Sequence, residues 1–154
     1  KEIPFVVKTL LKASPLCFLA TCNTSSGEPH LSLMNFTYLE DEEVIILSTR
    51  KNTRKFSLIE SNPKVSILLH NCNHTPHEQS EPSYANSTSV TLNGSMKIIQ
   101  SGSDEEKKYQ EKHLQKNKNY AQFIVGEDIA LITFSIQQAR VCDIYDKVTY
   151  WQKA

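Results

Sequence analysis

Val44-Ile45-Ile46-Leu47-Ser48-Thr49-Arg50-Lys51-Asn52-Thr53-Arg54-Lys55-Phe56-Ser57-Leu58-Ile59 changes period half-way along. Its first half is an apolar, largely β-branched run of strand character. From Asn52 the pattern turns helical, with Phe56 and Ile59 three apart and Lys55 and Ile59 four apart, and Asn62-Pro63 ends it. A buried strand therefore runs directly into a short helix. Four basic residues, Arg50, Lys51, Arg54 and Lys55, stand at the junction. A phosphate there would meet unpaired backbone N–H groups and the positive end of the helix dipole, and Thr53 adds a hydroxyl. Arginine forks onto two oxygens and lysine acts as a point charge, a mixture suited to a phosphomonoester. On charge alone, a solvated basic turn pairing with Glu60 explains the segment equally well.

On the N-terminal side, Phe5, Val6, Leu10 and Leu11 fall at helical spacing before Ser14-Pro15, predicting a short helix that plugs one end of a sheet. Leu16 to Thr21 and His30 to Tyr38 read as two strands of a hairpin around Asn23 to Pro29. The acidic turn Glu40 to Glu43 leads into the Val44 strand, giving a three-strand meander. On the C-terminal side, Lys64 to His70 is a strand and residues 71–86 a polar exposed loop. Ser89 to Ile99 is a strand broken at Gly94 by a bulge or barrel corner. Ser103-Asp104-Glu105-Glu106 is a capping box for a charged helix to about Lys116, with Tyr109, His113 and Leu114 near one face. Ile129 to Ile136, Arg140 to Tyr145 and Val148 to Gln152 close the series. The fold class is mainly β: one domain over 1–154, an antiparallel split barrel of six to eight strands with short peripheral helices.

Seventeen basic and seventeen acidic residues give zero formal charge, so no global field draws the chain to nucleic acid or an anionic membrane. No apolar run approaches the roughly 20 residues of a spanning helix. Neither partner is expected. Cys17 and Cys22 are an odd number of residues apart, on opposite faces of one strand, and cannot easily bridge. That favours a reducing, cytoplasmic location, with the acceptor patterns at Asn23, Asn35, Asn73, Asn86 and Asn93 read as chance matches. His70, Cys72, His74 and His77 match no standard zinc spacing, and no metal is assigned.

The ordered pieces Phe18-Leu19-Ala20-Thr21, Gly27-Glu28-Pro29, Ser48-Thr49-Arg50, Thr53-Arg54-Lys55, Asn62-Pro63-Lys64-Val65-Ser66 and Leu92-Asn93-Gly94-Ser95-Met96 cover roughly residues 14 to 100. Together they resemble the pyridoxamine 5′-phosphate oxidase-like split barrels that bind flavin mononucleotide (FMN). The resemblance implies a homodimer with FMN in two clefts at the interface. It implies that Thr53, Arg54 and Lys55 bind the phosphate, joined by Arg50, with Ser48 and Thr49 near the flavin and ribityl chain. His30 to Asn35 would run beneath the ring with Asn35 at its polar edge, and Ser89 and Thr91 would face the cofactor from the second subunit. The chain departs from the vitamin B6 oxidases where their substrate is gripped. His30 and Asn35 stand where those enzymes resemble one another in carrying Arg and Lys, Tyr109 lacks Arg and Ser partners, and Cys142 replaces a His. The implied function is an FMN-dependent oxidoreductase of unassigned substrate, with no catalytic acid, base or nucleophile named. Two alternatives stand beside it. One is a non-enzymatic dimer resembling the secreted cellular repressor glycoproteins, and the other a split barrel holding haem or a deazaflavin in the same cleft.

Overall fold

A computed structural model of the chain describes residues 1–71, 88–143 and 145–154. Its order is α1 (Phe5–Ala13), β1 (Leu16–Cys22), β2 (Pro29–Asn35), β3 (Thr37–Leu39), β4 (Val44–Arg50), α2 (Arg54–Ser61), β5 (Lys64–Asn71), β6 (Thr88–Ile98), α3 (Asp104–Lys116), β7 (Ile129–Cys142) and β8 (Val148–Gln152). Short 3₁₀ turns occupy Glu40–Glu42 and Lys118–Phe123. All strand pairs are antiparallel, in the order β2-β1-β5-β6-β7-β4-β3, with β8 also on β7. The two ends of that order, β2 and β3, are separated in the chain only by Phe36, which is fully buried. The sheet therefore curls until its ends meet at one residue, as a split barrel requires.

That closure corrects the meander reading. The predicted strand His30 to Tyr38 is two strands, because its first half pairs with β1 (Phe18 opposite Leu33) and its second with β4 (Thr37 opposite Ile46). A second correction concerns the C-terminus. Ile129 to Tyr145 holds one 14-residue strand, not two, and β4 and β8 share successive halves of its edge. The bulge at Gly94 is present: pairing with β7 shifts register between Asn93 and Gly94. A side chain there would drive a Cβ onto the Ser135 carbonyl and within 2.7 Å of the Phe134 ring. The predicted loop 71–86 lies, beyond Asn71, outside the described residues.

The barrel interior is filled by inward-facing alternate residues such as Leu19, Ile45, Leu47, Ile67, Leu92 and Phe134. Helix α1 plugs it with Val7, Leu10 and Leu11, while Phe5 is 85% exposed, so the apolar face is one step round from the expected one. The run Val44 to Leu47 is apolar throughout because β4 is covered twice. Ile45 and Leu47 face the barrel, and Ile46 packs under α3 with Tyr109 and Leu131. Ser103 caps α3 by accepting the Glu106 N–H, and Glu106 reaches back to the Gly102 N–H. Tyr109 Oη donates to Glu42 at 3.0 Å and so ties α3 to the β3–β4 turn. A buried trio completes that tie: Thr37 Oγ1 lies 2.8 Å from His113 Nδ1, and Asn117 Nδ2 donates to Thr37 Oγ1 at 3.2 Å. His113 Nε2 is buried without a partner among the described residues. Burial, then the nearby Lys116 charge, push the His113 pKa down to about 4.

Candidate functional site

Beyond Ile46 the edge of β4 loses its neighbour, because the chain that pairs with it as β3 has crossed at Phe36 to pair with β1 as β2. A cavity of about 330 Å³ opens at this seam, within the range of small-ligand pockets. It gathers Leu33, Met34 and Asn35 from β2, Ser48, Thr49 and Arg50 from β4, then Thr53, Lys55, Phe123 and Ile124. Of the residues singled out from sequence, Asn35, Ser48, Thr49, Arg50, Thr53 and Lys55 thus meet in one place. Arg54, Ser89 and Thr91 do not. Arg54 turns to an exposed pair with Glu28 at 3.0 Å, and Ser89 lies across the sheet on β6, opposite His70 and Cys142.

The strand-to-helix junction has the local chemistry expected of it. Thr53 is the N-cap of α2: its hydroxyl accepts the Phe56 N–H at 3.2 Å and donates to the Arg50 carbonyl at 2.8 Å. The next two N–H groups, of Arg54 and Lys55, have no acceptor among the described residues. The basic residues separate by what they already touch. Arg50 pairs with Asp128 at 2.7 Å, Lys51 donates to Ser101 at 3.1 Å, and Arg54 holds Glu28. Lys55 alone of the four makes no ion pair or hydrogen bond among the described residues, and burial lowers its pKa. The Lys55 side chain, which lines the cavity, and these two N–H groups at the start of α2 are thus uncommitted among the described residues.

The rest of the cavity is apolar on one side and hydroxylic on the other. Ser48 Oγ donates to the Phe123 carbonyl at 2.8 Å, and Thr49 Oγ1 lies 3.4 Å from Thr53 Oγ1. Among the described residues its lining includes no aspartate, glutamate or histidine, and its charged groups are Arg50 and Lys55. Phe123, Ile124 and the supporting Asp128 were absent from the sequence reading, although Phe123-Ile124-Val125 is an apolar triplet in an otherwise polar stretch. Tyr109, considered for substrate, is 7% exposed and engaged with Glu42. Of the possible metal ligands, His70 stacks on Phe18 at 5.8 Å between ring centroids, and Cys72, His74 and His77 lie outside the described residues.

A family model described as pyridoxamine 5′-phosphate oxidase matches residues 4–143. The chain belongs to the pyridoxamine 5′-phosphate oxidase family. A homologue of that oxidase from Schizosaccharomyces pombe is 37% identical over 166 residues, covering 92% of this chain and 86% of that protein. One from Saccharomyces cerevisiae is 24% identical, covering 98% and 96%. Among solved structures, a heme binding protein from Mycobacterium smegmatis superposes with a TM-score of 0.78 at 19% identity, over 99% of this chain and 60% of that one. General Stress Protein 26 from Bacillus anthracis superposes at 0.62 and 18%, over 94% and 95%. These structures share the split-barrel fold of the family. Among the described residues no helix is long and apolar enough to cross a membrane.

Proposed function

We propose that the chain binds FMN in the seam cavity and works as a flavin-dependent oxidoreductase in the cytoplasm. The observation that carries this reading is Lys55, half-buried and lining the cavity, which like the N–H groups of Arg54 and Lys55 at the start of α2 has no partner among the described residues. The phosphate would sit there, Thr53 would orient it, and Arg54 would leave Glu28 for it at little cost, since an exposed ion pair contributes about 1 kcal/mol at most. Leu33, Met34 and Phe123 offer apolar surface to the ring, and Asn35 a polar contact at its edge. Bound flavin would supply the electron transfer, and the lining would hold and orient it.

The cofactor site is completed by a second copy. Leu33, Phe18 and Leu68 stand in one cross-strand row on the outer face of β2-β1-β5, beside exposed Leu16 and Leu31. Leu33 belongs both to this face and to the cavity. The row continues across β6 at Thr91, and Ser89 stands beside it, so a partner seated there would meet these hydroxyls at its own cofactor. Haem is the second reading, favoured by the similarity to the Mycobacterium smegmatis heme binding protein. The absorption spectrum of the purified protein separates them: flavin bands near roughly 370 and 450 nm are expected, and a haem band near roughly 400 nm would replace the reading. A colourless protein that takes up no added FMN would end it.

A further inference from the structure

Arg50 borders the cavity, yet its guanidinium is committed elsewhere. Nη1 pairs with Asp128 Oδ2 at 2.7 Å and Nη2 donates to the Gln122 carbonyl at 3.3 Å. Two more bonds run from the same end of β4 to the same segment: the Lys51 N–H donates to the Asp128 carbonyl at 2.7 Å, and Ser48 Oγ to the Phe123 carbonyl at 2.8 Å. Residues 122–128 are thereby drawn against the end of β4. Ile124, 1% exposed, is the buried anchor of that segment, while Phe123 keeps 47% of its surface exposed and its side of the cavity open to contact.

The planar fork of an arginine fixes direction as well as charge, so a guanidinium bound through both Nη atoms to Asp128 and Gln122 is not free to grip a phosphate. We propose that Arg50 is a positioning residue, latching residues 122–128 through Asp128 and Gln122 so that Phe123 forms a wall of the flavin pocket. The inference rests on the FMN reading for its ligand, and it divides the basic segment by task. Lys55 and the α2 N–H groups face the phosphate, and Arg50 acts on the ring through Phe123.

The distinction is measurable with two ligands, FMN and riboflavin, which share a ring and differ by the phosphate. Arg50→Gln and Asp128→Asn are expected to weaken both ligands by one common factor, about two- to fivefold, the range that an exposed ion pair supports. The double variant is expected to be no worse than either single one, because the two side chains act as a unit. Lys55→Ala weakens FMN alone. Loss confined to FMN in Arg50→Gln, no loss in Asp128→Asn, or additive losses would each overturn the latch. If the unaltered protein binds neither flavin, the FMN reading fails and the latch is read without ligand. Amide exchange at Ile124, Val125 and Ile129, whose N–H groups donate to the Ala121 and Gly126 carbonyls in and beside this segment, is then expected to quicken equally in both variants. Unchanged exchange would overturn the latch on its own.

Discussion

Among the described residues, lowering the pH from 7 to 4.5 is expected to weaken the fold mainly through one side chain. His113 has no exposed surface, its Nδ1 is hydrogen-bonded to Thr37 Oγ1, and its pKa lies near 4 against an ordinary 6.5. Above 6.5 the ring is neutral in both the folded and unfolded chain and pH has no leverage. Below 6.5 the unfolded chain takes up a proton that the folded one refuses, so stability falls until the folded ring is protonated near 4. A shift of that size corresponds to about 3 kcal/mol, most of it lost by pH 4.5. That is a large share of the 5 to 15 kcal/mol typical of a domain. The carboxyls held low by lysines, Glu40 by Lys12 and Glu42 by Lys108, lose their contribution only below 4.5. Urea unfolding at intervals between pH 7 and 4.5, followed by far-UV circular dichroism, gives the slope. His113→Gln should flatten it whatever that variant's stability at pH 7. A wild-type midpoint that stays constant over this range, or an equal slope in His113→Gln, would refute the reasoning.

Other consequences are as direct. Gly94→Ala should cost about 3 kcal/mol or more, because the added carbon meets the Ser135 carbonyl and the Phe134 ring at a backbone crossing; a variant with an unchanged urea midpoint would contradict the register. Leu33→Asp should convert the proposed dimer to monomer in analytical ultracentrifugation by placing a charge in the apolar row with Phe18 and Leu68. FMN affinity should fall as the pH drops through about 6, where a phosphomonoester loses its second charge, while riboflavin affinity stays level over the same step.

How far the sequence could be read followed from how local each determinant is. The change from strand to helix after Arg50, the end of α2 at Asn62-Pro63 and the Gly94 bulge depend on neighbours in the chain, and each is where its residues place it, although Thr53 caps the helix, a role its sequence context had not marked. The division of His30 to Tyr38 at Phe36 has no such marker. It is imposed by closure of the barrel, which needs one segment to serve both ends of the sheet. The same limit applied at the site. Clustered bases marked the strand-to-helix junction that borders the cavity, but only the fold tells Lys55, which is free among the described residues, from Arg50 and Arg54, which are engaged. Phe123 reaches the cavity, and Asp128 the Arg50 that borders it, from more than seventy residues away, so only the β4–β7 ladder brings them there.

The claim that a flavin phosphate sits at the start of α2 is tested most directly by titrating the protein with FMN and with riboflavin, alongside Lys55→Ala. The expected result is tighter binding of FMN than of riboflavin by about tenfold or more, the scale of one or two charge-assisted hydrogen bonds, with that advantage largely gone in Lys55→Ala. Equal affinity for the two ligands in the unaltered protein, or an FMN preference that survives Lys55→Ala intact, would contradict it.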